Sequence, residues 1–173
     1  MHVMIDLETM GTRPTAPIIA IGAVRFDRTG ITDKFYMNID LESAVDIGLA
    51  VVDPKTVKWW MTQSDAARSV LQEDAKGITT ALLAFQEWLG PEAGCEGVWG
   101  NGVGFDNVLL SEAYQRLGLT VPWPFWADRC YRTMKNLYPQ IELERVGTHH
   151  NALDDAASQA AHLIRIWQEG MGR

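Results

Sequence analysis

Asp6 and Glu8 stand two residues apart at the end of the first apolar run, MHVMIDLET. Side chains alternate along a strand, so these two carboxylates share a face while Ile5 and Leu7 take the other. Neighbouring carboxylates repel and lose hydration when partly buried, and a shared divalent cation removes that cost. A pair of acids at an exposed strand end would have the same spacing. A third acid, Asp106, follows the segment WGNGVGF, whose glycines let the chain turn sharply off a short strand. Asp106 then falls in the first turn of a helix, where the dipole by itself favours an acid. The fourth piece is His150-Asn-Ala-Leu-Asp-Asp155. A neutral histidine accepts a proton from water, and a nearby acid holds a metal. His149 and Asp154 repeat that spacing. Asn151 reads as a helix N-cap, and Asp154, three residues on, serves the helix start, which leaves Asp155 for chemistry.

The elements that must carry these residues follow from hydrophobic pattern. Residues 2–6 read as a first strand, 18–26 (IIAIGAVRF) as a central strand rich in β-branched residues, and 33–39 as a third; together they make an antiparallel meander. Asp53-Pro54 starts a helix with Val57, Trp60 and Met61 on one face. Ser64 begins a helical stretch over 65–73. Residues 78–89 carry Leu82, Phe85 and Leu89 at helical spacing and stop at Gly90-Pro91. A short strand over 97–100, a helix over 105–117, a Pro-rich stretch at 121–126 with room for a short edge strand, and a helix over 128–137 come next. The last helix, 152–168, places Leu153, Ala157, Ala160, Ile164 and Trp167 on one stripe. Asp155 lies opposite that stripe, so the helix must expose that face to the cleft, packed close through its many alanines. The order predicts a mixed α/β sheet with helices on both faces.

Composition narrows the function classes. The chain has 173 residues, fits one domain, and carries 15 Lys+Arg against 22 Asp+Glu, a formal charge of -7. Passive coating of duplex DNA calls for a basic protein. A nuclease whose carboxylates hold metal ions tolerates the acidic balance. No apolar run is long enough to span a bilayer. Acids at Asp6 and Glu8 argue against a signal peptide, and Cys95 and Cys130 read as two reduced thiols, so a cytoplasmic protein without membrane contact is expected.

Taken together, these motifs resemble the DEDDh branch of the DnaQ-like 3′→5′ exonucleases, on the RNase H-like fold. Asp6-x-Glu8-Thr9 resembles the first motif, Asn101 through Phe105-Asp106 the second, and His150 with Asp155 five residues later the third. The resemblance runs from residue 4 to about residue 160, and MIDLETMGTRPTAPIIAIGAV and TVKWW are similar to small phage- and prophage-type exonucleases and RNase T-like exoribonucleases. It implies one exonuclease domain over residues 1–173, with a five-stranded sheet made of the meander plus parallel strands. It also implies two divalent cations, Mg²⁺ or Mn²⁺. Asp6 would bridge both, Glu8 and Asp155 would complete the site of the attacking water, Asp106 would support the second ion, and His150 would be the general base. Such ions stabilise both attacking and leaving oxygens. The expected substrates are 3′ ends of single-stranded DNA or RNA, with nucleoside 5′-monophosphates as products; a homodimer is what relatives imply. Substrate contacts are expected from Thr9, Met10, Asn101, Phe105 and Trp59. Met10 reads equally as core filling, and Trp59 is preferred to Trp60 because Trp60 joins the Val57 side. The basic run 129–135 reads as a solvated face. A non-catalytic nucleic-acid-binding module and an RNase H-type endonuclease are the alternatives.

Overall fold

The computed structural model describes residues 1–71, 74–90 and 94–170. Three strands, β1 (His2–Thr9), β2 (Ile18–Phe26) and β3 (Ile31–Asn38), form the antiparallel meander. β4 (Gly97–Gly100) then pairs parallel to β1, and β5 (Asp128–Cys130) parallel to β4. The sheet order is β3-β2-β1-β4-β5. β1 is therefore central, and its C-terminal end and that of β4 open side by side. Crossing from β3, at one edge, to β4 on the far side of β1 requires a long connection, which holds α1 (Leu41–Asp46), α2 (Pro54–Trp60), α3 (Asp65–Arg68) and α4 (Ile78–Leu89). α5 (Asp106–Arg116) follows β4, α6 (Tyr131–Leu137) follows β5, and α7 (Ala152–Arg165) ends the fold in a π-helical turn, Ile166–Gly170.

The alternation of β1 divides the core in two. Val3, Ile5 and Leu7 pack with Leu82 and Phe85 of α4 and Leu109 and Tyr114 of α5. Met4, on the other face, packs with Val24, Trp99 and the α7 residues Ala156, Ala160 and Leu163. Helices thus cover both faces of the sheet, as the element order predicts. Among the described residues no helix is long and apolar enough to cross a membrane. Cys95 and Cys130 are free.

α7 lies against β2 at unusually short range. An added Cβ on Gly22 would sit 2.1 Å from the Ala152 carbonyl carbon. Gly22 is the cross-strand partner of Asp6. The absent side chain at residue 22 is what lets the first turn of α7, and Asp155 with it, come down onto β1. Ala152, Ala156, Ala157 and Ala160 of the helix are buried. Its apolar stripe is only part of the buried surface, because Asp155, Ser158, Gln159 and His162 are buried too. His162 is hydrogen-bonded through Nδ1 to the Tyr131 hydroxyl (2.6 Å) and through Nε2 to the Ile141 carbonyl (2.6 Å).

Several boundaries differ from expectation. Residues 121–126 hold no strand; a 3-10 turn over Phe125–Ala127 leads into β5, which takes the first three residues of the expected helix 128–137. α1 has no counterpart in the sequence reading. Its Asp40 N-cap accepts the Ser43 N–H, and six residues offer too short a window for periodicity. Met61 is exposed beyond the end of α2, while Trp60 is buried, so the expected shared face does not form. The stretch expected over 65–73 is α3 followed by a 3-10 turn, Ser69–Leu71; residues 72 and 73, like Pro91 after the Gly90 C-cap, lie outside the described residues. The expected helix 152–168 is α-helical to Arg165 and π-helical beyond.

Candidate active site

β1 delivers Asp6 and Glu8 to the face that α7 covers, and α7 delivers Asp155. One carboxylate oxygen from each of Asp6, Glu8 and Asp155 lies within 4.8 Å of the other two. Residues separated by almost the whole chain therefore meet within the reach of one cation. Asp106 reaches the same place from the opposite side. Its Oδ1 accepts the Leu7 N–H at 3.2 Å, between the two β1 acids. Gly100 makes room for it, since a Cβ there would stand 3.0 Å from Asp106 Oδ2 and 2.5 Å from Asn107 Oδ1. Asp106 does not join the tight group of three, but its charge is the largest single electrostatic influence on Asp6.

Crowding acids out of water raises the proton affinity of Asp6, Glu8 and Asp106. Asp6 is held well above the ordinary carboxylate range by burial first, then by the charges of Asp106, Glu8 and Asp155; a hydrogen bond from Gln159 Nε2 to Asp6 Oδ1 (2.8 Å) opposes this. Glu8 is pushed up to about 8 by burial and by Asp155 and Asp106. Asp106 is pushed up to about 7, again chiefly by burial, against the pull of its backbone hydrogen bonds. Four like-charged groups in one cleft are stable as anions only beside positive charge.

His150 stands at the rim. Its backbone has φ 64, the left-handed region that few residues other than glycine, asparagine and aspartate enter. Its N–H donates to Asp155 Oδ2 at 2.9 Å, and its ring stacks on His149 at 3.8 Å and meets the Trp59 ring edge-on at 4.6 Å. Burial and the neighbouring His149 lower its pKa, with Asp155 opposing, so the imidazole is neutral near pH 7 and free to take a proton. His149 and His150 both share a metal-sized cluster with Asp155. Asp154, assigned to the helix start, accepts the Thr148 N–H at 2.7 Å and so holds the histidine loop; Asn151 caps α7 as expected.

Two recesses join at Leu7 and Glu8. The smaller, about 270 Å³, is lined by Asp6, Glu8, Asn101, Arg145, His150 and Asp155. The larger, about 600 Å³, is lined by Thr9, Thr12, Lys55, Thr56, Trp59 and Phe105. Of the expected substrate contacts, Asn101 faces the first and Thr9, Phe105 and Trp59 the second. Trp59 is 39% exposed, whereas Trp60 is buried and donates its indole N–H to the Thr9 carbonyl at 3.0 Å. Met10 lines neither recess. It is buried with Ile19, Trp60, Val70 and Ala152, because the chain turns inward after Thr9, whose hydroxyl donates to the Gly11 carbonyl at 2.7 Å. Gln159 and Arg145 were not anticipated. Gln159 had a signal, since it follows Asp155 by four residues and so shares its helix face. Arg145, in the connection before α7, had none.

The sequence was compared with known families and proteins. The model of the Rv2179c-like 3′-5′ exoribonuclease domain matches residues 1–167. The chain belongs to that family. No curated protein matches it by sequence. Among solved structures, the nuclease domain of 3′hExo, a DEDDh family member bound to rAMP, is 17% identical with a TM-score of 0.65, covering 98% of this chain and 92% of that one. Exonuclease X in complex with 5′ overhanging duplex DNA is 18% identical with a TM-score of 0.62, covering 98% and 93%. S. pombe Pop2p in its Mg²⁺- and Mn²⁺-bound form is 14% identical with a TM-score of 0.68, covering 98% and 84%. The fold is the RNase H-like fold of the DEDDh exonucleases, and the protein is a 3′→5′ exonuclease. Family and fold imply divalent-metal use. The donor set fits a hard cation, being three converging carboxylates, two of them with raised proton affinity, beside the buried Gln159 Oε1, which has no hydrogen-bond partner among the described residues.

Proposed function

We propose that this protein removes nucleotides one at a time from the 3′ end of single-stranded RNA, with residues 1–173 acting as a single domain. Asp6, Glu8, Asp106 and Asp155 would hold two divalent cations, Mg²⁺ or Mn²⁺. The observation that carries this reading is the meeting of the Asp6, Glu8 and Asp155 carboxylates within 4.8 Å beside a neutral imidazole. Cations bound there supply positive charge to the phosphoryl oxygens and make water a better nucleophile at neutral pH.

The protein's own groups divide the rest of the work. His150 accepts the proton of the attacking water on its free imidazole, while its backbone bond to Asp155 fixes the ring's position. The water oxygen attacks the terminal phosphodiester phosphorus, the 3′-oxygen of the penultimate nucleotide leaves, and a nucleoside 5′-monophosphate is released. Gln159 aims the Asp6 carboxylate. The larger recess takes the terminal nucleoside, with Trp59 and Phe105 as stacking walls and Thr9 at its floor. The family's description as an exoribonuclease domain supports RNA over DNA.

Digestion of 3′- and 5′-labelled RNA and DNA oligonucleotides, with Mg²⁺, Mn²⁺ or chelator, tests the proposal. The expected result is mononucleotide release from RNA 3′ ends, abolished by chelator and by Asp6→Asn in a folded protein. Equal cleavage of a circular single strand, or full turnover by Asp6→Asn, would overturn it.

A further inference from the structure

Asp155 spends both carboxylate oxygens on the segment that leads into its own helix. Oδ2 accepts the His150 N–H, and Oδ1 pairs with the Arg145 guanidinium. Among the described residues this is the one ion pair made by any of Asp6, Glu8, Asp106 and Asp155. Asp155 is buried, but the Arg145 side chain is 44% exposed at the rim of the smaller recess. The carboxylate that Arg145 covers belongs to the cluster with metal-binding reach, and a guanidinium and a dication cannot share one carboxylate at close range without strong repulsion.

We infer that Arg145 is a built-in competitor of the divalent cation at Asp155, and that it changes partner to the substrate's phosphate when the cation binds. The inference rests on the metal site proposed above. Its backbone is well placed for such an exchange. The segment is pinned just beyond Arg145, by Val146 N–H to Ser158 Oγ at 2.9 Å and by Thr148 N–H to Asp154 Oδ2 at 2.7 Å. The side chain can therefore swing while the chain that carries His150 stays in place. A guanidinium fork fits a phosphate as well as a carboxylate, and once displaced it still lines the recess with Glu8 and Asn101, where the scissile phosphate must lie. Arg145 is thus a positioning residue before substrate arrives and a phosphate contact afterwards. Cation and substrate then favour each other's binding, and by linkage the effect is the same in both directions.

The test measures Mn²⁺ affinity of the full chain by electron paramagnetic resonance of the free ion, with and without adenosine 5′-monophosphate as the phosphate probe. Arg145→Met should bind Mn²⁺ about tenfold more tightly than the wild type without nucleotide, the scale of one partly solvated charge pair. The gain in Mn²⁺ affinity on adding the nucleotide should shrink at least about threefold, because its guanidinium partner is gone. Arg145→Lys should stay near wild type, since it keeps the charge. Arg145→Gln gives the same reading should the methionine variant not fold. Equal or weaker Mn²⁺ binding by the neutral variants would overturn the competition, and an undiminished nucleotide effect would overturn the exchange of partners. Failure of wild type and variants alike to bind Mn²⁺ would instead bring down the metal site itself, and this inference with it.

Discussion

Adding Mn²⁺ to chelator-treated protein at neutral pH should expel protons, and the number follows from the site. With Glu8 pushed up to about 8, that side chain is about nine-tenths protonated at pH 7, and Asp106, at about 7, is about half protonated. Asp6, also raised, adds to the same pool. Ligation by carboxylates requires the anions, so binding should release about 1.4 protons from Glu8 and Asp106 at pH 7, with any from Asp6 in addition, and the share of Glu8 and Asp106 should fall to almost none above about pH 9.5. Each factor of ten in proton affinity is about 1.4 kcal/mol, so holding Glu8 ionised without a cation costs the fold on the order of 5 kcal/mol. The sign follows from the upward direction of the shift. The stability kept by leaving Glu8 protonated is fully present below the unfolded value near 4.5 and is lost as pH rises through about 8, where the ionisation cost is felt in full. Thermal midpoints in chelator should therefore fall between pH 5 and pH 8, and stabilisation by Mn²⁺ should grow over the same range. Calorimetric titration in buffers of different ionisation enthalpy counts the protons, and Glu8→Gln should remove about one of them at pH 7. Binding that releases no protons at pH 7, or a Glu8→Gln protein releasing as many as wild type, would refute the buried-carboxylate argument.

Three further outcomes are expected. His150→Ala should slow single-turnover hydrolysis by about 10²–10⁴-fold, the usual worth of general-base help; a larger loss in His149→Ala would put the base one residue earlier. Gly22→Ala should lower stability by roughly 1–3 kcal/mol in denaturant titration and depress activity, because the new Cβ would lie 2.1 Å from the Ala152 carbonyl carbon and push Asp155 away from β1; unchanged stability would show that α7 does not depend on that approach. Trp59→Ala should weaken oligonucleotide binding by about 1–3 kcal/mol if its ring is a stacking wall, read as a raised KM for short RNA; an unchanged KM would leave Trp59 a mere neighbour of His150.

Much of the scaffold was legible because it repeats. β2, α4 and β4 lie where β-branched runs, helical spacing and glycine boundaries put them. β5 was not legible, since its three residues carry no alternation of their own and are a strand only by pairing with β4. α1 is likewise a single capped turn and a half. At the site, Asp6, Glu8, Asp106, His150 and Asp155 could be named from local spacing and their likeness to a known pattern. Met10 could not be placed, because a methionine after a strand suits a core as well as a pocket.

Periodicity and capping act over neighbouring residues, so the acids, the histidine and the elements that bear them could be read directly from the order of residues. Packing alone sets Asp155 against Asp6 across a glycine, lets Gln159 aim one carboxylate and Arg145 neutralise another, and raises the proton affinity of Asp6, Glu8 and Asp106 by burial. Those are properties of distance and of excluded water, and apart from the Arg145–Asp155 pair, ten residues apart in sequence, they arise only when segments about a hundred or more residues apart are packed together.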